Sequence, residues 1–342
     1  MLKEAIYKVV ERIDLEEDEM SEVVEKMMEG IATPSQISAL LVGLRMKGES
    51  IPEITGAAKV MINKSKRIIS RHKTVVDLCG TGGDQQMTFN VSTVASLITA
   101  GAGVPVAKHG NRSVSSQSGS ADVLEELGVN INISPAGAEN CLNEVGIVFL
   151  FAPIYHPAMR FVSEPRKEIG IRSIFNLLGP ITNPAGVKHQ VMGVYSGVLL
   201  KPMAKVLRNL GCVRSMIVHG SDSLDEITVT GKTEIAELKD GMVKSYQFDP
   251  ADLGFKRRKL EELRGGNTVE NAKTLLSVLK GEDREAKRDI SVLNAAAALV
   301  VAGKASDMKE GVALAEESID TGSALNKLNS LTKFTVSWKD NK

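Results

Sequence analysis

Asp77-Leu78-Cys79-Gly80-Thr81-Gly82-Gly83-Asp84 and its continuation, Gln85-Gln86-Met87-Thr88-Phe89-Asn90-Val91-Ser92-Thr93, decide the architecture of this 342-residue chain. The apolar run Thr74-Val75-Val76 leads in as a strand, and Val94 to Ala100 leads out as a helix. Between them, glycine permits positive φ and close backbone approach, so N–H groups can turn outward toward a phosphate. A helix N-terminus directly behind the turn adds partial positive charge. The spacing is neither G-x-x-x-x-G-K-S/T nor G-x-G-x-x-G, which sets aside the two common nucleotide loops. A tight strand-to-helix turn without a ligand has the same local signature, so the stretch by itself leaves function open.

A second segment of the same kind runs Lys108-His109-Gly110-Asn111-Arg112-Ser113-Val114-Ser115-Ser116-Gln117-Ser118-Gly119-Ser120, after the apolar run Val104-Pro105-Val106-Ala107. So many hydroxyls and glycines predict neither a packed strand nor a firm helix, and they leave donors for water or a polyanion. Lys108 and Arg112, four apart straight after a buried strand, suit phosphate oxygens better than a merely solvated loop does. A third cluster joins Pro165-Arg166-Lys167-Glu168 to Arg172-Ser173-Ile174-Phe175-Asn176-Leu177-Leu178-Gly179-Pro180. A fourth follows the buried strand Met216 to His219, where Gly220 opens Ser221-Asp222-Ser223-Leu224-Asp225-Glu226. Adjacent carboxylates at the carboxyl end of a strand can hold Mg²⁺, which prefers carboxylate oxygens, water and substrate phosphates. An acidic pair in a loop is otherwise simply solvated; two phosphate-type turns in the same chain favour the metal.

In this order and spacing the segments resemble the anthranilate phosphoribosyltransferase family. The matches are Asp77-Leu-Cys-Gly-Thr-Gly-Gly-Asp84, Thr88-Phe-Asn-Val-Ser-Thr93, Lys108-His-Gly-Asn-Arg-Ser-Val-Ser-Ser116, Gly119-Ser-Ala-Asp-Val-Leu-Glu125, Phe175-Asn-Leu-Leu-Gly-Pro180 and Leu224-Asp-Glu226. Together they span nearly the whole chain, and six motifs in register are far more specific than any one. Two positions depart from the family pattern: Ser223 stands where glycine is usual, and Gln117 where a basic residue is common. The resemblance implies a small helical domain ahead of a large α/β domain whose central mixed sheet is flanked by helices, as in nucleoside phosphorylases and related phosphoribosyltransferases. It also implies transfer of the phosphoribosyl group of phosphoribosyl pyrophosphate to the amine of anthranilate, with Mg²⁺ as cofactor and a homodimer built through the helical domain.

Carried over residue by residue, the resemblance lines the phosphoribosyl pyrophosphate site with Gly80, Gly83, Asp84, Thr88, Asn90, Val91, Ser92 and Thr93. Lys108, Asn111, Arg112, Ser113, Val114, Ser115, Ser116 and Ser120 close over it. Ser92, Asp225 and Glu226 are the implied metal ligands; Gly80, His109, Asn111 and Arg166 border the anthranilate path, Arg166 anchoring its carboxylate. Asp225, Glu226, Lys108 and Arg166 are expected to carry the chemistry. Loss of pyrophosphate from an anomeric carbon passes through an oxocarbenium-like transition state, so stabilising the leaving group should be the largest catalytic effect. The acceptor amine is neutral at pH 7 and needs no strong base, in keeping with the absence of a Ser/His/Asp arrangement. His109 serves equally as a positioning or a catalytic group, and His72, His156, His189 and His219 read as structural.

The remainder of the chain agrees. Lysine plus arginine and aspartate plus glutamate stand at 42 each, so no overall charge favours nucleic acid. Cys79, Cys141 and Cys212 are odd in number and far apart, which indicates reduced, mostly buried thiols in a reducing compartment. Charges throughout the first thirty residues argue against a signal peptide, and no apolar run reaches membrane-spanning length, so a cytoplasmic protein is expected. Residues 1–70 read as a bundle of short helices, with capping patterns at Thr33-Pro34-Ser35-Gln36 and Ser50-Ile51-Pro52-Glu53 and with Met20, Met27, Met28, Met46 and Met61 as core filling. Part of about 160–185 is expected to pack with it, and 71–342 to form the larger domain. There, Val129 to Ile133, Ile147 to Ala152, Gln190 to Tyr195, Thr233 to Leu238 and Met242 to Phe248 read as strands, with Asp240-Gly241 as a hairpin turn. Ser134-Pro135 and Lys201 to Leu210 mark helices, and 267–322 reads as a helical tail. Two rivals remain: a pyrimidine nucleoside phosphorylase-like enzyme, which would lack Arg166 and the acidic pair, and a non-catalytic nucleic-acid-binding relative, which would be basic.

Overall fold

The structure, a computed structural model, describes residues 1–83, 86–113 and 118–339. Its centre is a seven-stranded sheet of β1 (Val76–Gly80), β2 (Val106–Gly110), β3 (Ile147–Phe151), β4 (His189–Gly193), β5 (Arg214–Gly220), β6 (Thr233–Lys239) and β7 (Met242–Phe248), ordered β3-β2-β1-β4-β5-β6-β7. The first five run parallel, and β6 and β7 complete the edge antiparallel. Parallel strands covered on both faces read as continuous apolar runs, and Val148, Leu150, Ile217 and Val218 are fully buried. The β6–β7 hairpin turns at Asp240 and Gly241, both at positive φ (52° and 74°), as a type I′ turn requires. Strand order reverses beside β1, whose neighbours are β2 on one side and β4 on the other. At such a switch point the crossovers diverge to opposite faces and leave a crevice at the carboxyl ends of the strands.

The N-terminal helices are α1 (Leu2–Val10), α2 (Glu17–Met28), α3 (Pro34–Lys47) and α4 (Ile51–Asn63). Thr33 and Gln36, and likewise Ser50 and Glu53, form reciprocal capping boxes. Glu53 is fully buried, yet its carboxylate accepts from Leu15 N at 2.9 Å, Ser50 N at 2.8 Å and Lys47 Nζ at 3.0 Å, which offsets its desolvation. Met20, Met27, Met28 and Met61 fill the bundle core as expected, whereas Met46 is 72% exposed, as Tyr7 and Val10 are largely exposed on α1. The same apolar cluster takes in Val162, Ile174, Phe175, Leu177, Leu178 and Ile181.

The remaining helices are α5 (Val91–Gly101), α6 (Ser120–Glu126), α7 (Pro135–Val145), α8 (Ala152–Tyr155), α9 (Arg160–Ile169), α10 (Ile174–Ile181), α11 (Leu200–Asn209), α12 (Thr268–Leu279), α13 (Ala286–Val301), α14 (Met308–Asp320) and α15 (Ser323–Ser337). The helical tail thus runs past residue 322 to Ser337. α5 begins at Val91, three residues before its apolar stretch, because Asn90 O already accepts from Val94 N at 3.2 Å. Residues 129–133 are not a strand. Val129, Ile131 and Ile133 are buried, but Asn130 N donates to Thr335 Oγ1 at 3.1 Å and Asn132 N to Asn130 Oδ1 at 3.0 Å, so side chains replace a ladder. Lys108, His109 and Gly110, expected to begin an unpaired loop, belong to β2 and pair with Phe149, Leu150 and Phe151. Among the described residues, no helix is long and apolar enough to cross a membrane.

Candidate active site at the carboxyl edge of the sheet

The switch point is built from two glycines. Gly80 ends β1, Gly193 ends β4, and the two are register partners. A Cβ on Gly80 would collide with Asp225 Oδ2, and one on Gly193 with the Asp225 backbone carbonyl, so the acidic loop after β5 reaches this edge only because both side chains are absent. Asp225 Oδ2 then accepts from Gly82 N at 2.8 Å, tying the acidic loop to the first glycine turn. The loop is braced on both sides. Before the pair, Asp222 accepts from the hydroxyls of Thr228 and Thr230 and from Leu224 N. After it, Asn294 of α13 accepts from Ile227 N at 2.9 Å and donates to Ile227 O at 3.0 Å. Ser223 lies at φ 70°, a left-handed conformation that glycine adopts without strain.

Lys108 is almost wholly buried in β2. Its ammonium donates to Leu78 O at 2.7 Å and to Ser92 Oγ at 3.1 Å, so it joins β1, β2 and the first turn of α5 from beneath and does not lie in a covering loop. Burial lowers its pKa, and the Asp77 carboxylate pulls it back up. Asp77 accepts from His109 N at 3.3 Å and from Asn183 Nδ2 at 2.8 Å, and burial raises its carboxyl to about 6. Asn90 donates to Ser118 O at 3.1 Å, linking the two turns, while Asn90 Oδ1 and Thr93 Oγ1 are buried and without a partner among the described residues. Such orphaned acceptors at a helix N-terminus with no capping side-chain bond suit a polar ligand. Val91 is buried in the first turn of α5, and Ser120 opens α6.

Arg112 differs from expectation. Its guanidinium lies 2.8 Å from both Asp122 and Glu125 and over the Phe151 ring, so its charge is already paired. Asp122 also accepts from Ser113 N and Gly119 N, one on each side of residues 114–117. Thr88 bridges to Arg264 and lines a separate cavity of about 380 Å³ together with Ser118 and Asn271. Asp84, Val114, Ser115 and Ser116 lie outside the described residues.

Gly80, His109, Asn111 and Arg166 come together around one cavity of about 460 Å³, beside the β1 turn. Arg166 is half-buried, stacks 5.0 Å from the Phe175 ring centre and makes no ion pair among the described residues. His156, which the sequence reading made structural, lines the same cavity, with its ring 5.2 Å from that of His109. The only sequence signal for it was its place just after a buried strand. His109 Nδ1 donates to Gly179 O at 3.1 Å, which leaves Nε2 of both histidines buried and unpartnered among the described residues. Burial lowers the two pKa values, to about 3 for His109 (with His156 adding like-charge repulsion) and about 4 for His156, so both rings are neutral. The acidic pair could hold a hard cation. No group of three or more His, Cys, Asp or Glu among the described residues forms a closed metal cage, but Mg²⁺ needs only one or two carboxylates beside water and substrate oxygens.

Residues 72–325 match the a/b domain of a glycosyl transferase family, and residues 3–65 match that family's helical bundle domain. An anthranilate phosphoribosyltransferase of Pelotomaculum thermopropionicum is 53% identical over 98% of this chain and 97% of its own length. Its counterpart in Geotalea daltonii is 51% identical over 98% and 99%. Among solved structures, anthranilate phosphoribosyltransferase from Thermus thermophilus superposes with a TM-score of 0.92 at 41% identity, covering 97% of this chain and 99% of that one. The Saccharomyces cerevisiae enzyme in complex with phosphoribosyl pyrophosphate and Mg gives 0.90 at 28% identity over 98% of each. The chain belongs to the glycosyl transferase family of these proteins, the anthranilate phosphoribosyltransferases.

Proposed function

We infer that the protein transfers the phosphoribosyl group of phosphoribosyl pyrophosphate to anthranilate, releasing pyrophosphate and N-(5-phosphoribosyl)anthranilate in tryptophan biosynthesis. The observation that carries this most directly is the single cavity shared by Gly80, His109, Asn111 and Arg166, next to a glycine turn held by Asp225. Arg166, a guanidinium without an anion among the described residues, meets the acceptor carboxylate; neighbouring Phe175 and Pro180 provide apolar walls for an aromatic ring. The neutral Nε2 of His109 accepts a hydrogen bond from the acceptor amine and fixes its lone pair toward the anomeric carbon. The α5 N-terminus, with Asn90, Ser92 and Thr93, takes up phosphate oxygens of the donor. Asp225 and Glu226 hold Mg²⁺ with help from Ser92, and the metal when bound neutralises charge on the departing pyrophosphate. The buried Lys108 ammonium places a fixed positive charge under the same edge.

Residues 1–70 with part of 160–185 then form one domain and 71–342 the other, with the donor on the larger and Arg166 on the smaller side of the cleft. The exposed Tyr7, Val10 and Met46 support a homodimer through the helical domain. A cytoplasmic setting suits three cysteines that form no disulfide. Phosphoribosyl transfer to anthranilate, assayed with Mg²⁺ and with EDTA, tests the function; turnover with a nucleoside and inorganic phosphate alone would replace it with a phosphorylase. Arg166→Ala should raise the anthranilate KM by about 10²-fold with little change for the donor, given the worth of a charged hydrogen-bonded pair. Equal losses for both substrates would remove Arg166 from the acceptor side.

A further inference from the structure

Arg172 lies between α9 and α10, two residues before the helix that carries Phe175 and Asn176. Its guanidinium stacks 4.3 Å from the centre of the Tyr195 ring and lies against the first glycine turn, its Nη2 only 2.9 Å from where a Cβ on Gly83 would stand. It makes no hydrogen bond or ion pair among the described residues, although it is half-buried. Tyr195 is itself fixed to that turn, since its N–H donates to Thr81 Oγ1 at 3.1 Å and Thr81 N donates to Gly193 O at 3.0 Å. A stacked arginine keeps its planar fork of N–H donors in one orientation, and a fork held beside a glycine turn is built for oxyanions. The contrast with Arg112 is informative: that cation is neutralised twice by carboxylates, while Arg172 carries its charge to the turn without an ion pair among the described residues.

We propose that Arg172 is a donor-binding residue, whose guanidinium takes pyrophosphate oxygens of phosphoribosyl pyrophosphate at the β1 turn. This rests on the transferase function above. It also gives the α9–α10 segment, which shares its apolar cluster with the N-terminal helices, a direct hold on the donor.

The test compares wild type, Arg172→Gln and Arg172→Lys. Pyrophosphate with Mg²⁺ is titrated calorimetrically, and KM and kcat are measured for each substrate. Arg172→Gln should weaken pyrophosphate binding and raise the donor KM about tenfold, roughly the effect of losing one charged hydrogen bond. The anthranilate KM and the melting temperature should stay put, and lysine should restore only part of the loss because it keeps the charge without the fork. Unchanged pyrophosphate affinity, or a lowered melting temperature with both KM values equally affected, would overturn the assignment and leave Arg172 as packing on Tyr195. Because pyrophosphate binding is read without turnover, a wild type that binds pyrophosphate but fails to transfer to anthranilate would sink the function and spare this residue.

Discussion

The two turns at the carboxyl edge of the sheet are held in opposite ways. The second, after β2, has its described residues held locally: Asp122, nine residues from Ser113, gathers Ser113 N, Gly119 N and the Arg112 guanidinium. The first, after β1, is held from a distance, by Asp225 through Gly82 N, by Gly193 O through Thr81 N and by Arg172 against Gly83. A turn that satisfies its own charges offers few to a ligand. One that borrows them from other elements presents them at a cleft, and its ligand contacts therefore depend on the whole sheet.

The largest test falls on the borrowed side. Asp225→Asn with Glu226→Gln should cut kcat/KM by about 10²–10³-fold and raise the Mg²⁺ concentration needed for half activity, the scale of losing a preorganised electrostatic group. Unchanged kinetics would remove the pair from the chemistry. Next comes the pH response of the histidines beneath both turns. In the unfolded chain they take protons as the pH falls below about 6.5, whereas the folded rings resist until about 4 for His156 and about 3 for His109. The unfolded state binds more protons in that window, so stability is lost as the pH falls. Asp77 opposes this: its folded carboxyl is raised to about 6 from 3.8, so its share is present below 3.8 and is lost as the pH rises through about 6. Two groups against one leave a net loss toward acid, and His109→Gln with His156→Gln should abolish or invert the fall of the urea midpoint between about pH 7 and about pH 5, since Asp77 then acts unopposed. An equally steep profile in that variant would show that other groups govern it.

A smaller effect is expected on the locally held side. Asp122→Ala should cost about 1–2 kcal/mol of stability, the worth of a helix cap, with kcat much less affected than by loss of Asp225. If it abolishes turnover while the fold persists, the two turns are equal partners after all. Smallest is Ser223→Gly, which relieves a left-handed serine beside the acidic pair and should gain about 0.5–1 kcal/mol. No gain in melting temperature would mean that the serine side chain offsets its own strain.

Much of this was legible in the residues. Capping boxes at Thr33 and Ser50, the Asp240-Gly241 hairpin and the strand-turn-helix after Val76 are local patterns, and the fold follows them. Gly80, His109, Asn111 and Arg166 were nameable because family motifs carry them, and the geometry draws them to one cavity. What sequence could not show is long-range. The burial of Lys108 depends on strand pairing with β3, the pairing of Arg112 on where α6 places Asp122 and Glu125, and the role of Gly193 on the acidic loop beyond the next strand. Residues 129–133 alternate like a strand, but the partner that claims Asn130 is Thr335, 205 positions away.

Asn294 ties the residue after the acidic pair to a helix that is buried along nearly its whole length. The reactive edge thus inherits its stiffness from near the far end of the chain. Amide exchange at Ile227 should be as slow as in α13 itself, and damage to the C-terminal helices should be felt first as misplaced carboxylates and only later as unfolding.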